Sequence, residues 1–507
     1  MAEEIELKLA LPEEAQRLLL RNPLLRQAVE KHTGRLTNLY YDTPDLSLRR
    51  HRMALRLRAR GRQWLQTVKC AGDRAGGLSS RPEWETPYAG HFDFSAIDDP
   101  AIRDWLTRPK IARHIAPVFE TNFQRIGWVF VPTPGTRIEL VIDRGWIVAA
   151  GRRTAISEVE LELLDGDPQA LFSLALALAA RVPLVPAPLS KADRGYRLFQ
   201  GIADAPVKAG PVPLTADTPP LAACRIIGLA CLEHLQLNHA GVFADDPVEY
   251  IHQMRIAVRR LRAALRLFSP VLPAGFADGL LAPLHELMDV LGQARDHDVL
   301  LEEIAAPVLR ALPDEPRLAA LVGIVTERRF ARRQAALQFL RSPRHGEIVL
   351  QLLAALHGLA EKSGADGAVP ALRDFAAQRL RRLRHRVRQQ AAAARVERPE
   401  SLHALRIGIK RLRYALEFFA PLIAAKPLQR LLEKLAALQG TLGSINDLAN
   451  AGALLMACAD DDARLREAVT LIGGWHGPRH QTLLADFAVQ LAGLGRLNRL
   501  PLPRQAR

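Results

Sequence analysis

Two short runs alternate charged and apolar residues one by one: Glu4-Ile5-Glu6-Leu7-Lys8, and much later Glu158-Val159-Glu160-Leu161-Glu162-Leu163. On a β-strand the side chains at i, i+2 and i+4 point to one face, so each run sets three charged groups on one side and apolar residues on the other. Five carboxylates and a lysine would then share a surface. Two solvated strand faces would explain the alternation, but not why the polar face is almost purely acidic twice.

Between these runs the alternation returns with the opposite sign, in Leu55-Arg56-Leu57-Arg58-Ala59-Arg60, then Thr67-Val68-Lys69 and Arg81-Pro82-Glu83-Trp84-Glu85. Phe123-Gln124-Arg125, Ile138 to Asp143 and Leu189-Ser190-Lys191 continue it. Turn signals at Gly61, Gly72 to Gly77, Pro132 to Gly135 and Gly151 separate the runs as an antiparallel meander requires. If the charged faces point inward, the sheet must curl into a barrel with a polar lumen, because a closed lumen holds water and ligand where a packed core cannot. Facing carboxylates and guanidinium groups then suggest a ligand pair. Oxygen-ligated Mg²⁺ or Mn²⁺ would neutralise the acids, while Arg and Lys clamp an anion that also binds the metal. A polyphosphate does both; citrate-like acids need fewer cations, and nucleic acid needs fewer inward carboxylates.

Residues 1 to about 200 resemble the CYTH domain, the triphosphate tunnel metalloenzymes, whose E-x-E-x-K signature is met by Glu4, Glu6 and Lys8. The ordered set makes the resemblance specific: Tyr41-Asp42-Thr43, Arg56 and Arg58, Lys69, Gly77-Leu78-Ser79-Ser80-Arg81 before Trp84-Glu85, Arg125, the acidic run at 158 to 162, and Leu189-Ser190-Lys191-Ala192-Asp193-Arg194-Gly195-Tyr196. The resemblance implies an eight-stranded antiparallel tunnel barrel that hydrolyses triphosphates with a divalent metal. It implies metal contacts from Glu4, Glu6, Glu158, Glu160 and Glu162, with Asp143 a sixth ligand. It implies phosphate contacts from Lys8, Arg56, Arg58, Lys69, Arg81, Arg125 and Lys191, with Glu4, Glu6, Lys8, Glu160 and Lys191 at the chemistry.

A chain of 507 residues, 49% hydrophobic and 24% charged, is globular and too long for one core. Residues 205–220 read as a Pro-rich linker, and the chain beyond it reads as helix. The expected organisation is a tunnel domain over 1–204, the linker, and a helical domain over 221–500 with repeats near 221–370 and 371–500. The fold class is thus α+β and multidomain, a β tunnel barrel preceding an all-α domain of two four-helix repeats. Net charge is +4 up to residue 205 and +11 beyond it, against +15 for the whole chain. The basic half favours polyanions, whether nucleic acid, anionic lipid or polyphosphate.

That half repeats itself. The segment from His252 to Phe268 aligns with His403 to Phe419 at an offset of 151, with nine identities in seventeen. Leu291-Gly292-Gln293-Ala294-Arg295-Asp296 meets Leu442-Gly443-Ser444-Ile445-Asn446-Asp447 at the same offset, so two copies of one helical unit are expected about a pseudo-two-fold axis. Ile251, Met254, Val258, Leu261, Leu265 and Phe268 form a core stripe. Beside it run His252, Arg255, Arg259 and Arg262, repeated by His403, Arg406, Lys410 and Arg413. A charge stripe is usually a solvated flank. Flanks, however, need not repeat residue for residue, and two such helices together would present eight basic groups, which Arg328-Arg329, Arg332-Arg333 and Arg379 through Arg388 could extend. Residues 219 to 500 resemble the CHAD domain, an all-helical module implicated in binding inorganic polyphosphate, and the tandem resembles bacterial inorganic triphosphatases. No second His or carboxylate sits at metal spacing beside His252 or His403, which leaves phosphate contact or a structural role at a helix start.

No G-x-x-x-x-G-K-[ST] loop and no G-x-G-x-x-G after a strand appears. Four cysteines without zinc spacing fit a reducing cytoplasm, where association with polyphosphate granules is also expected. No leader, membrane span, membrane partner or specific nucleic-acid partner is expected, the longest apolar stretch being Leu171 to Ala180. The function expected is hydrolysis of inorganic triphosphate with long-chain polyphosphate held by the helices. The alternatives are a non-catalytic polyphosphate adaptor, or a tunnel enzyme for thiamine triphosphate or for ATP as an adenylate cyclase.

Overall fold

A computed structural model describes residues 2–61, 63–70, 72–359 and 371–493. It divides into two compact units, residues 1–206 with 341–358, and residues 207–340 with 359–507.

In the first unit ten strands form one antiparallel sheet: β1 (Ala2–Ala10), β2 (Glu30–Asp42), β3 (Ala54–Arg60), β4 (Gln63–Lys69), β5 (Asp73–Ala75), β6 (Leu78–Pro87), β7 (Ala116–Thr133), β8 (Thr136–Ala149), β9 (Arg152–Asp165) and β10 (Val185–Pro186). Eight of them take the order β1-β9-β8-β7-β2-β3-β4-β6, and β6 pairs back onto β1, so the sheet closes as a barrel. β10 and β5 are short additions outside the ring. The β8–β9 hairpin turns through Ala150 and Gly151, both at positive φ, as a tight two-residue turn between twisted strands requires.

The alternation is inverted relative to an ordinary sandwich, because the packed core lies outside the ring. Leu7, Leu9, Val159 and Leu161 are fully buried on the outer face, while Glu6, Lys8, Glu158 and Glu160 point inward. Outside β3, β4 and β6, the residues Leu55, Val68 and Trp84 pack with Leu48, Phe94, Ile97 and Leu106 into one apolar cluster. Each fully buried Leu contributes roughly 1.5–3 kcal/mol. Closure is therefore held from without, which leaves the lumen to charge.

Asp42, at the end of β2 and fully buried, ties this wall to the helix Lys191–Gln200. Its carboxylate accepts from the backbone N–H of Thr43 (2.7 Å), Leu48 (2.8 Å) and Arg49 (2.9 Å), and from the Tyr196 hydroxyl (2.9 Å). A capping box between Ser190 and Asp193 begins that helix, so Lys191 is fixed as its first residue. Asp42→Ala would strand four donors, three of them buried, and is expected to cost about 3 kcal/mol or more. The full chain should melt several degrees lower; an unchanged midpoint would show that Asp42 does not hold the helix.

The segment Arg341–Gly358 belongs to the barrel unit, although the expected boundaries put it in the first helical repeat. Its helix, Pro343–His357, packs on the helix Gln169–Ala179 and on β10. Gly346 lies so close to the wall that a Cβ there would stand 2.0 Å from the Leu184 carbonyl oxygen. Phe172 and His357 stack with ring centroids 5.3 Å apart.

The second unit carries two sets of four helices. The first is Pro220–His239, Val248–Phe268, Phe276–Val299 (continuing through a π-helical turn, Leu300–Ala305) and Pro316–Leu340. The second is Leu372–Ala393, Pro399–Phe418, Ala425–Ala459 and Ala463–Gly493. Like helices meet across the pseudo-symmetry, Val248–Phe268 on Pro399–Phe418, and one apolar cluster joins Leu300, Ile304, Leu318 and Leu321 to Leu455 and Ile472. Among the described residues one helix, Pro220–Phe243, is long and apolar enough to cross a membrane by length and composition. Here 61% of its apolar window is buried in the protein, with Ile227, Leu232 and Leu235 in the core. The last residues of both expected repeats, 360–370 and 494–500, lie outside the described residues.

Candidate active site and basic helical surface

The lumen is a cavity of about 710 Å³. All seven cations expected to hold phosphate line it: Lys8 from β1, Arg56 and Arg58 from β3, Lys69 from β4, Arg81 from β6, Arg125 from β7 and Lys191 from its helix start. Of the six acids expected to hold metal, Glu4, Glu6, Glu160 and Glu162 line it too. Strand register sets Lys8 opposite Glu160, Glu6 opposite Glu162 and Arg125 opposite Asp143. Three residues that strand alternation alone did not single out as partners join them. Glu83 meets Lys69 (2.9 Å) and Arg56 (3.4 Å), Arg194 meets Glu158 (3.0 Å), and Asn38 accepts from Arg58 Nε (3.0 Å). Glu83 and Arg194 stand inside the motifs that mark the barrel in sequence, and the i+2 spacing from Arg81 to Glu83 was the available signal.

The acids fall into two groups. Asp143, Glu158 and Glu160 can each bring an oxygen within 4.8 Å of the others. Lys191 Nζ stands among them, at 2.7, 2.5 and 2.9 Å, and Arg125 bridges Asp143 (2.6 Å) and Glu160 (2.8 Å). Burial opposes the charge on Lys191, but these three carboxylates outweigh it and raise its pKa. Burial likewise opposes ionisation of Glu160, yet Lys191, Arg125 and Lys8 hold its carboxyl well below the usual range. The second group is Glu4 and Glu6. Glu4 lies 2.7 Å from Lys69 and 3.0 Å from Arg81, which hold it low against its burial, and Glu6 is paired with Lys8.

Glu162 is different. Burial, then neighbouring Glu4, pushes its carboxyl up to about 7, and among the described residues no cation pairs with it. Burial, then Arg81, brings Lys8 down to about 7, and burial, then Arg56, brings Arg58 down to about 10. Most of the lumen's charges are thus paired, but among the described residues Glu162, Glu85 and Arg58 form no ion pair, Glu85 acting on Arg58 without closing on it. Hard oxygen donors, one of them uncompensated, fit a divalent cation of the Mg²⁺ or Mn²⁺ kind. The lumen's rings are already engaged. Phe123 lies under Arg125 and Lys191, and Tyr40 stacks on Phe119 at 4.4 Å.

In the helical unit the two basic stripes converge in part. Arg255 and Arg259 from one repeat face Arg406, Lys410 and Arg413 from the other closely enough to perturb one another. Burial, then Arg406, Arg259 and Arg255, brings Lys410 down to about 7. Among the described residues no carboxylate pairs with Arg259, Arg406 or Lys410; Arg255 meets Asp296 (2.9 Å) and Arg413 meets Glu417 (3.2 Å). His252 lies beside Arg259 and Arg255. Arg262 instead turns to His285 (2.8 Å), and His403 to Asn446 (3.0 Å). Arg329 and Arg333 do not extend the stripe, since both close on the buried Asp298.

Comparison with known proteins agrees with this division. The CYTH domain model matches residues 2–196 and the CHAD domain model residues 227–456. An inorganic triphosphatase of Haemophilus influenzae is 32% identical over 200 residues, a match covering 39% of this chain and 55% of that protein's length. An uncharacterized protein of Mycobacterium tuberculosis is 26% identical over 403 residues, 75% of each chain. The crystal structure of the CHAD domain from the plant Ricinus communis is 36% identical with a TM-score of 0.51, covering 60% of this chain and 99% of that one. Residues 2–196 are therefore a CYTH domain and residues 227–456 a CHAD domain, joined in tandem in one chain.

Proposed function

We propose that the barrel hydrolyses inorganic triphosphate to diphosphate and phosphate with a divalent cation, Mg²⁺ or Mn²⁺, and that the helical domain binds long-chain polyphosphate. One observation carries the first part: seven cations and a matching set of carboxylates line one closed lumen whose aromatic rings are already occupied. Buried charges that neutralise one another in the resting protein can exchange partners for a ligand of mixed charge at little net cost in desolvation. Lys8, Arg56, Arg58, Lys69, Arg81, Arg125 and Lys191 would take the phosphate oxygens, because fixed cations in a water-poor cavity stabilise charge on a transferring group. Glu4, Glu6, Glu158, Glu160, Glu162 and Asp143 would hold one or two divalent cations, which supply charge neutralisation and a polarised water when bound. With no free ring for a base among the described lumen residues, a nucleoside triphosphate has no advantage over the inorganic one.

Turnover of inorganic triphosphate, ATP and thiamine triphosphate, each with Mg²⁺ and Mn²⁺, tests this directly. Inorganic triphosphate should show the highest kcat/KM, by roughly tenfold or more, since a base would meet no partner. Equal or faster release of phosphate or cyclisation with ATP would overturn the substrate assignment, and binding without turnover of any of the three would make the barrel an adaptor. The Haemophilus relative's name and the buried, unbridged state of Cys70, Cys224, Cys231 and Cys458 support an enzyme working in the cytoplasm, where polyphosphate granules would supply the helical domain.

A further inference from the structure

The two helical repeats, alike along their basic helices, differ where their third and fourth helices meet. In the first repeat the fully buried Asp298 accepts from Arg329 Nε (2.7 Å) and Arg333 Nε (2.9 Å). At the offset of 151 Asp298 becomes Ala449, and Leu301 becomes Gly452. Matching Arg317-Leu318 to Arg464-Leu465 turns Thr326 into Gly473, Arg329 into His476 and Arg333 into His480. All of these counterparts line an open-mouthed cavity of about 430 Å³, walled by apolar residues such as Leu442, Ile445, Leu455 and Ile472. Where one repeat holds a charged knot, the other has lost the acid, shrunk two side chains and opened a space.

His476 gives that space a chemical preference. It is 4% exposed, and its Nε2 lies 2.9 Å from the Ile304 carbonyl oxygen, so the ring donates there. In the neutral ring Nδ1 is then a lone pair, buried and without a partner among the described residues. Ile304 sits in the π-helical turn Leu300–Ala305, an irregularity that often marks functional sites. A buried acceptor in an apolar wall repels phosphate and calls for a hydrogen-bond donor on an otherwise apolar body. We propose that this cavity binds a small, largely apolar molecule bearing a hydroxyl, seated with the hydroxyl donating to His476 Nδ1. The barrel chemistry does not bear on this site, and of the basic stripe only His403, turned to Asn446, reaches its wall.

Equilibrium dialysis of the full-length protein against 2-naphthol and the isosteric 2-methylnaphthalene tests it. One saturable site for 2-naphthol is expected, with 2-methylnaphthalene weaker by about tenfold for want of the donor. Gly452→Leu restores the residue of the first repeat at a position where a Cβ meets nothing within 4 Å. It should abolish saturable binding while the melting midpoint holds or rises, since Leu replaces Gly inside a helix. Gly473→Leu, equally open at its Cβ, serves the same purpose if the first variant fails to fold. His476→Phe should erase the preference between the two probes. Absence of saturable binding in the parent, equal affinity of the parent for both probes, or unchanged binding in a folded Gly452→Leu protein would overturn the proposal.

Discussion

Glu160→Gln is expected to lower turnover on the order of 10³-fold while leaving the chain folded. Glu160 Oε1 lies 2.9 Å from Lys191 Nζ and Oε2 2.8 Å from Arg125 Nη2, at the junction of the acidic group with the lumen cations. The amide keeps the size of the side chain and removes the charge that Lys191 and Arg125 share and that a divalent cation would share. Lys191 still meets Asp143 and Glu158, and Arg125 still meets Asp143, so neither base is stranded in the wall. Stability should therefore change far less than activity. The checks are kcat at saturating Mn²⁺, the melting midpoint, and metal binding measured by calorimetry. Activity within a few-fold of the parent would remove Glu160 from the metal set. A collapse of the melting midpoint would instead mean that the charge cluster serves mainly to hold strands together.

The lumen could be read from sequence because the barrel turns the usual pattern inside out. A period of two with charge on the inner face, as in Leu55-Arg56-Leu57-Arg58, survives as a local signal whatever the strands pair with. Partnerships are another matter. That Lys191 stands among Asp143, Glu158 and Glu160 depends on the β8–β9 register and on a helix cap, which no spacing encodes. Asp42 stands in the Tyr41-Asp42-Thr43 motif, yet only the bond it accepts from the Tyr196 hydroxyl shows that it anchors the helix of Lys191. The helix Pro343–His357 escaped because Ile348, Leu352 and Leu356 make an apolar face like that of any bundle helix; a face says that it will be buried, not against what. Along the basic stripes the residue types were legible and the rotamers were not. Arg262 and His403 found neutral partners on adjacent helices, while Arg259 and Lys410 form no ion pair among the described residues.

That residual charge makes the helical domain's prediction separable from its stability. Arg259 and Lys410 are held among Arg255, Arg406 and Arg413 with no ion-pair partner among the described residues, so like charges oppose one another in the free protein. Changing both to Gln should leave the melting midpoint of the full chain unchanged or raised. Affinity for long-chain polyphosphate at physiological salt should fall by roughly 10- to 100-fold, and the slope of log affinity against log salt should lessen by about two, one for each lost phosphate contact. Lys410 also predicts a pH dependence. Its ammonium has a pKa of about 7 in the free protein, and a bound polyanion favours the charged form, which places the bound value higher. Binding then takes up a proton between the two values. Affinity is full below about pH 7 and weakens as pH rises above it, by up to tenfold per unit until the bound value is passed. Lys410→Gln should flatten that profile, which loss of a merely structural lysine would not do. Displacement of labelled polyphosphate by duplex DNA or RNA at equal phosphate concentration, or unaltered binding by the double variant, would return these helices to the role of a solvated flank.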